Sequence, residues 1–204
     1  MINLEKLIFR KEKLLSEEEC DFLINTFNSH KQQIYLESCK NAFTGLEQTS
    51  TFLAQTLKKN TEPCDLVHKK IKKMVENFHD YLDTFKMFHV ERRLTIRFPH
   101  KYRLLKYDIG SQIHPHTDHG HSDGVYGSCT INLNDDYEGG LFGFWGNKKT
   151  VKLKKGESLI FPADMYWVHQ VNPITKGQRY STNCFLQSKP GEYGKKYNFI
   201  ENNV

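Results

Sequence analysis

The sequence lacks any long hydrophobic run. Charged residues interrupt every apolar stretch of the first fifteen residues, MINLEKLIFRKEKLL, which is not the pattern of a secretory signal. No segment reaches the roughly twenty consecutive apolar residues that a membrane-spanning helix needs. We therefore expect a cytoplasmic, intracellular protein with no membrane partner.

Cysteine is also scarce, with five residues and no CxxC pair. The five are widely spaced and odd in number, at Cys20, Cys39, Cys64, Cys129 and Cys184. This pattern argues against a disulfide framework and against a structural zinc site, so we interpret them as reduced thiols. Charge of one sign is not concentrated either: the net charge of +5 is explained by solubility alone and does not require an acidic partner.

No internal repeat and no low-complexity tract divides the chain. Its 204 residues are 38% hydrophobic and 13% aromatic, a globular balance that can bury one core. We predict a single domain over residues 1–204. Within it we expect a mainly helical support region at 1–100, a β-rich catalytic core at 101–188 and a C-terminal tail at 189–204.

The first half contains two helix signals. Ser16-Glu17-Glu18-Glu19 is a capping box and predicts a helix start. A longer helix is expected to begin near Pro63 or Asp65, because apolar residues then recur at helical spacing. That stripe consists of Val67, Ile71, Met74, Val75, Phe78 and Leu82. Between the helices we expect a short strand near residues 34–36 and a helix near 48–59. The lysines at 69–73 favour a solvated helix face over a nucleic-acid surface.

The second half is rich in short β-prone runs separated by Gly, Asn and Asp turns. The runs are residues 103–109, 128–133, 141–145, 149–153, 157–162, 166–171 and 179–186. Many short strands without intervening helices are typical of a sandwich or jelly roll. The sequence thus predicts an α+β fold with helices packed on a double-sheet β core.

Histidine supplies the strongest chemical signal, but several pairings compete. His116-Thr117-Asp118 is an HxD motif, and His121-Ser122-Asp123 is a second one five residues later. Two imidazoles and one carboxylate can occupy one face of an octahedral Fe(II), and His169 is a downstream candidate for the second imidazole. His114 and His119 lie in the same segment. Composition alone does not choose among these residues. A solvent-facing histidine-rich loop without metal ligands is also a valid interpretation at this point.

The order of motifs around the first HxD resembles a known family. Residues 107–118, YDIGSQIHPHTD, resemble the Y-x-x-G-x-x-x-x-P-H-x-D stretch of prolyl 4-hydroxylase-type 2-oxoglutarate- and Fe(II)-dependent dioxygenases. Residues 133–140, LNDDYEGG, are similar to the family's LND…GG segment. Residues 156–162 and 169–181 are similar to its G-x-x-x-x-F-P…H-x-V-x-P-V-T-x-G-x-R-x-S pattern. The resemblance covers residues 103–187 well and 10–28 loosely.

The resemblance implies a set of site residues. The iron ligands are His116, Asp118 and His169, and Arg179 binds the distal carboxylate of 2-oxoglutarate. Further co-substrate contacts are Tyr107 and Ser181, with Thr130 as a weaker candidate. The family often has a tyrosine on the strand where this chain has Ile131 and Asn132, so the second co-substrate contact is left open.

The resemblance also implies a fold and an activity. The fold is a double-stranded β-helix, or jelly roll, with N-terminal helices packed against its major sheet. The activity is hydroxylation of a C–H bond, of a prolyl residue in a peptide or protein or of a free amino acid, with release of succinate and CO2. The cofactors are Fe(II) and 2-oxoglutarate, with ascorbate as an optional addition. The glycine-rich segment 119–127 is expected to form a lid over the substrate.

Three alternatives are weighed against this function. One is an oxygenase of the same class that acts on a nucleobase or small metabolite. Another is a cupin-like metal protein without 2-oxoglutarate chemistry, against which Arg179 and its surroundings argue. A non-catalytic binding β sandwich is the third, and the ordered trio of His116, Asp118 and His169 argues against it. The sequence indicates no oligomeric state.

Overall fold

A computed structural model describes residues 3–200 apart from 42, 46, 86–95, 122–123, 192 and 194–195. Over these residues it contains two α-helices, α1 (Glu17–Ser29) and α2 (Glu62–Asp83), and thirteen strands. The strands are β1 (Phe9–Lys11), β2 (Ile34–Lys40), β3 (Glu47–Thr56), β4 (Phe98–Tyr107), β5 (Ile113–His116), β6 (Val125–Asn132), β7 (Glu138–Gly139), β8 (Phe142–Phe144), β9 (Lys149–Val151), β10 (Ser158–Pro162), β11 (His169–Val171), β12 (Ile174–Lys176) and β13 (Arg179–Gln187). Neither α-helix in this part of the chain is long and apolar enough to cross a membrane.

Both predicted helices are confirmed, and the first has the predicted capping box. The Glu19 amide donates to the Ser16 hydroxyl at 3.2 Å, and the Glu19 carboxylate accepts from the Ser16 amide at 2.8 Å. These two bonds satisfy donors that the first helical turn otherwise leaves without partners. In α2 all six residues of the predicted apolar stripe are buried, so the helix lies with that face against the rest of the molecule.

The helix expected near residues 48–59 is wrong, because this segment forms strand β3. It pairs antiparallel with β2 on one side and β4 on the other. Phe52 and Ala54, two residues apart, are buried in the same inner cluster, which is the period-2 pattern of a strand. Pairing within a large sheet therefore overrides the local helix propensity of this segment. The support region contributes three strands to the fold as well as its helices.

The strands form two principal sheets, in which neighbouring strands pair antiparallel over the described residues. The larger has seven strands in the order β1-β10-β6-β13-β4-β3-β2, and the smaller has four in the order β5-β11-β8-β9. Strands β12 and β7 form a separate pair. Each of the seven β-prone runs predicted from sequence overlaps one of these strands. The architecture is sheet-rich α+β.

Buried apolar residues form two large clusters on opposite faces of the seven-stranded sheet. The outer cluster joins α1 and α2 to the sheet through residues such as Leu104, Ile131 and Ile160. The inner cluster joins the larger sheet to the smaller one, with Leu105 on one side and Phe142 on the other. The four cysteines whose side chains are described are all buried free thiols of the outer cluster: Cys20, Cys64, Cys129 and Cys184.

Candidate active site

Three of the predicted site residues meet at one edge of the smaller sheet. His116 ends β5 and His169 begins β11, and the two are directly paired across these antiparallel strands. Asp118 starts the short 3-10 helix that follows β5. Its Oδ1 lies 3.4 Å from Nε2 of His116, and its Oδ2 lies 3.5 Å from Nε2 of His169. The three donor atoms all lie within 4.8 Å of one another, close enough to hold one metal ion.

Backbone carbonyls set the orientation of both imidazoles. Nδ1 of His116 lies 2.8 Å from the carbonyl oxygen of His114, and Nδ1 of His169 lies 2.9 Å from that of Trp167. Since a carbonyl oxygen can only accept, each Nδ1 donates a proton to it, and Nε2 is the ring nitrogen that faces the centre and is available to a metal ion. The Phe142 ring stacks on His169 at 5.3 Å with an interplanar angle of 8°. Two imidazoles and a carboxylate are a donor set that suits Fe(II) with open positions.

Arg179 lies on the inner face of the larger sheet and lines the same cavity as the triad. It is 3% exposed, its Nε donates to Oδ1 of Asn132 at 3.0 Å, and its guanidinium carbon lies 4.9 Å from the centre of the Tyr107 ring. Its Nη1 and the Ser181 hydroxyl are buried without a hydrogen-bond partner among the described residues. Buried polar atoms of this kind cost free energy unless a ligand satisfies them. A carboxylate is the ligand that a guanidinium and a hydroxyl fit.

Tyr107 pairs with Arg179 across β4 and β13 and is buried. Burial raises the pKa of its phenol, and the positive charges of Arg179 and Arg103 offset only part of that effect. The hydroxyl therefore stays protonated and can donate a hydrogen bond to an anion beside Arg179.

Residues 102–187 match the family model described as the 2OG-Fe(II) oxygenase superfamily. The matched segment contains the triad together with Tyr107, Arg179 and Ser181, so this part of the chain is similar to the superfamily. Two curated relatives are named PKHD-type hydroxylases. The one from Janthinobacterium sp. (strain Marseille) is 36% identical over 73 residues, which cover 34% of this chain and 31% of the relative. The one from Azoarcus sp. (strain BH72) is 39% identical over 69 residues, which cover 30% and 28%. The match thus spans less than a third of the length of these relatives.

Solved structures show the same fold at low sequence identity. The viral collagen prolyl hydroxylase of Paramecium bursaria Chlorella virus-1, in its 2OG complex, gives a TM-score of 0.62 at 16% identity, covering 90% of this chain and 96% of that one. A Pseudomonas putida prolyl-4-hydroxylase gives 0.65 at 13% identity, covering 90% and 93%. Fe(II) and 2-oxoglutarate are the cofactors of this superfamily, and the triad and the unsatisfied polar atoms beside Arg179 fit them.

Asn132 lies on the strand where the family often has a tyrosine, and its hydrogen bonds give it a different role. Its Oδ1 accepts from Nε of Arg179, while its Nδ2 donates to the carbonyl oxygen of Leu153 at 3.0 Å. The Tyr137 hydroxyl also donates to this Oδ1 at 3.4 Å. Asn132 therefore fixes the Arg179 guanidinium. Thr130, the weaker candidate, lines the cavity and donates to the carbonyl oxygen of Thr182 at 3.2 Å.

A second polar group in the cavity was not predictable from any motif. Arg103 and Asn183 line its wall, and so does Glu37. Each stands on a strand without a motif around it, and only the pairing of β2, β3, β4 and β13 brings them together.

The remaining candidates lie outside the triad. His119 is exposed and His114 is half-buried, and neither joins the cluster of metal-ligating groups found among the described residues. Ser122 and Asp123 of the second HxD motif lie outside the described residues, so the expected lid at 119–127 is described only in part. Trp167 belongs to the inner cluster, and Trp145 donates to the carbonyl oxygen of Tyr166.

Proposed function

We propose that the chain is a 2-oxoglutarate- and Fe(II)-dependent dioxygenase that hydroxylates a C–H bond and releases succinate and CO2. The substrate we propose is a prolyl residue in a peptide or protein, or a free amino acid. The observation that carries the proposal is one buried cavity that contains both the His116, Asp118 and His169 triad and the unsatisfied Nη1 of Arg179. The first group suits a metal and the second suits a carboxylate.

The relatives support the hydroxylase class and the choice of substrate. The curated relatives are named hydroxylases, and two of the similar structures are named prolyl hydroxylases. A third is a prolyl hydroxylase from Trichoplax adhaerens in complex with a peptide fragment of hypoxia inducible factor. That structure resembles this chain with a TM-score of 0.63 at 16% identity, so it supports a peptide substrate by analogy of fold.

Each element of the cavity has a part in this reaction. The triad holds the iron, which when bound supplies O2 activation coupled to oxidative decarboxylation of 2-oxoglutarate. Arg179 holds the distal carboxylate of 2-oxoglutarate, with Ser181 and Tyr107 as additional donors. Apolar side chains such as Phe142 and Val171 line the cavity beside these groups and exclude water from them.

We also infer the finer architecture from the sheets. The seven-stranded and four-stranded sheets, joined by the inner cluster, fit the two halves of a double-stranded β-helix. The helices pack on the outer face of the major sheet. On this basis residues 1–204 form one domain, with 1–100 as the support region, 101–188 as the catalytic core and 189–204 as the tail.

The decisive experiment removes single ligands. Asp118→Ala and His169→Ala are expected to abolish Fe(II)-dependent formation of succinate and to lower the iron content, because two donors do not retain the ion. His119→Ala is the matched control, since it removes a neighbouring but exposed imidazole and is expected to keep full activity. Full turnover with unchanged iron content in either ligand variant would contradict the assignment.

Co-substrate binding is tested separately by melting. Fe(II) and 2-oxoglutarate together are expected to raise the melting temperature more than either does alone, because the keto acid binds both the metal and Arg179. Stabilisation by the metal alone, with no added effect of 2-oxoglutarate, would instead favour a metal protein without this co-substrate.

A further inference from the structure

A second arginine stands on the cavity wall and is held as firmly as Arg179. The Arg103 side chain is 7% exposed, and its Nη1 lies 3.1 Å from Oε2 of Glu37. Its Nε donates to Oδ1 of Asn183 at 3.1 Å, and its guanidinium carbon lies 4.9 Å from the centre of the Phe185 ring. All four residues line the cavity that contains the triad. The guanidinium is therefore fixed before any ligand arrives.

Arg103 and Arg179 lie at separate places along the same face of the sheet. Strand β13 pairs with β4 so that Arg179 is opposite Tyr107 and Asn183 is opposite Arg103. Four residues of strand separate the two levels, about 13 Å along the sheet. An extended five-carbon diacid spans only roughly 6 Å. This spacing is between backbone positions, but the Arg103 guanidinium also lies over the Phe185 ring, on the far side of Asn183 from Arg179. One molecule of 2-oxoglutarate held at Arg179 is therefore not expected to reach Arg103, and this second cation is left for another ligand.

The pairing of Arg103 with Glu37 is costly if it serves stability alone. Moving two charges out of water offsets most of their attraction, and well-packed apolar residues often stabilise a protein as well. Glu37 keeps 21% of its side chain exposed, so the carboxylate is accessible. The wall thus presents a positive and a negative group side by side, and a molecule that carries a carboxylate and an ammonium on one carbon matches both.

We propose that Arg103 and Glu37 form the substrate subsite and that the substrate is a free amino acid. The α-carboxylate pairs with Arg103 and the α-ammonium pairs with Glu37. An internal residue of a polypeptide has neither charge, since both groups are tied up in amides, so this site selects against it. The inference rests on the proposed oxygenase function and narrows its substrate class.

The test compares free and blocked forms of the same compounds. The probes are free L-amino acids, proline included, and their N-acetyl amides, with succinate formation and mass gain of the probe as readouts. At least one free amino acid is expected to stimulate succinate formation, and its N-acetyl amide is expected not to. The free compound, but not the blocked one, is also expected to raise the melting temperature.

Two variants test the residues themselves. Arg103→Met/Glu37→Gln removes both charges together, so that neither is left buried without its partner. It is expected to raise the amino-acid concentration for half-maximal stimulation by about tenfold or more. Arg103→Lys keeps the charge but loses the paired N–H groups of the guanidinium, so an intermediate concentration for half-maximal stimulation is expected. Arg10→Met/Glu157→Gln is the matched control, because this ion pair lies outside the cavity lining, and an unchanged concentration is expected.

Several results overturn the subsite. The first is equal stimulation of succinate formation by free and blocked compounds, and the second is stimulation by peptides alone. The third is an amino-acid concentration for half-maximal stimulation that is the same in the double variant as in the wild type. These outcomes differ from failure of the proposed function. If 2-oxoglutarate and Fe(II) stabilise the wild-type protein and no free amino acid stimulates it, only the subsite is wrong. If the two cofactors do not bind, the oxygenase function itself is wrong.

Discussion

The two faces of the seven-stranded sheet use the same strands for opposite purposes. On β4 and β13, Leu104 and Cys184 face the helices and belong to the outer cluster. Their neighbours Arg103 and Asn183, one residue away, face the cavity. Side chains of a strand alternate between faces, so each strand carries an apolar set and a polar set interleaved along its length.

The two faces separate the residues that stabilise the fold from the residues that are placed to bind ligands. The outer face is covered by the helices, and the buried apolar side chains of the outer cluster fill the space between them and the sheet. The inner face contains buried polar atoms that a ligand is needed to satisfy, Nη1 of Arg179 and the Ser181 hydroxyl among them. Substitutions on the outer face should therefore affect folding, and substitutions on the inner face should affect binding.

The largest effect is expected on the outer face. Ile131 is fully buried in the outer cluster. Ile131→Ala is expected to lower the free energy of unfolding by about 2–5 kcal/mol, because it leaves a cavity under the helices. Urea titration measures this loss, and the 2-oxoglutarate requirement of the remaining folded protein is expected to be unchanged. A shifted requirement would mean that the two faces are coupled.

The converse is expected for Arg179 on the inner face. Arg179→Met is expected to raise the 2-oxoglutarate concentration for half-maximal succinate formation about a hundredfold, or about 2.7 kcal/mol. The free energy of unfolding should not fall, since a buried cation with an unsatisfied nitrogen is removed. Arg179→Lys keeps the charge without the two parallel N–H groups of the guanidinium, and it is expected to recover only part of the affinity for 2-oxoglutarate. A large loss of stability in Arg179→Met would show that the inner face also stabilises the fold.

The stability of the protein is expected to depend on pH through His68 of α2, on the helix side of the sheet. Its Nδ1 lies 2.7 Å from the Tyr102 hydroxyl, and burial, followed by the charge of Lys72, lowers its pKa from 6.5 to about 4. Above pH 6.5 the residue is neutral in both folded and unfolded chains and has no effect. As the pH falls from 6.5 to 4 the unfolded chain takes up a proton that the folded chain does not, so stability is lost.

The expected loss is about 2 kcal/mol after allowance for partial solvent contact. His68→Gln does not titrate, so its stability should decline less between these two pH values, measured by urea titration at each pH. Parallel pH profiles for the two proteins would show that His68 is protonated in the fold.

The smallest effect concerns the residue that positions Arg179. Asn132→Leu removes the acceptor of the Arg179 Nε bond and is expected to raise the 2-oxoglutarate requirement about fivefold to tenfold. Thr130→Val is the control, because Thr130 bonds to the carbonyl oxygen of Thr182 instead. If Thr130→Val raises the requirement and Asn132→Leu does not, Thr130 is the second co-substrate contact.

Local patterns were enough to predict many elements of this fold. The Ser16 capping box and the α2 stripe depend on contacts within a few residues, so the sequence contains them in full. The β3 segment was misread as helix because its partner strands lie far away in the chain. Its structure is decided by pairing that no local window contains.

The site residues also divide into those that a local motif predicts and those that only the pairing of distant strands brings together. The HxD pair and the register from His169 to Arg179 were recognisable because the family repeats their order. Arg103, Glu37 and Asn132 have no such spacing, and their roles depend on which strands become neighbours. Side chains alternate between faces along β6, so the register of this strand decides whether Asn132 or Ile131 faces the cavity. That register is not predictable from the sequence of β6 alone.

The placement of sulfur adds a consequence for the durability of the protein. The four cysteines with described side chains, and Met74, all lie in the outer cluster, across the sheet from the triad. Burial raises the pKa of the Cys20 thiol to about 12, so it stays protonated and unreactive. If the proposed oxygenase turns over without substrate, aromatic side chains such as Phe142 and Tyr107 line the cavity and are the first to meet the oxidant. Self-damage should therefore appear first as hydroxylated rings in the cavity, and the sulfur that holds the helices to the sheet should outlast it.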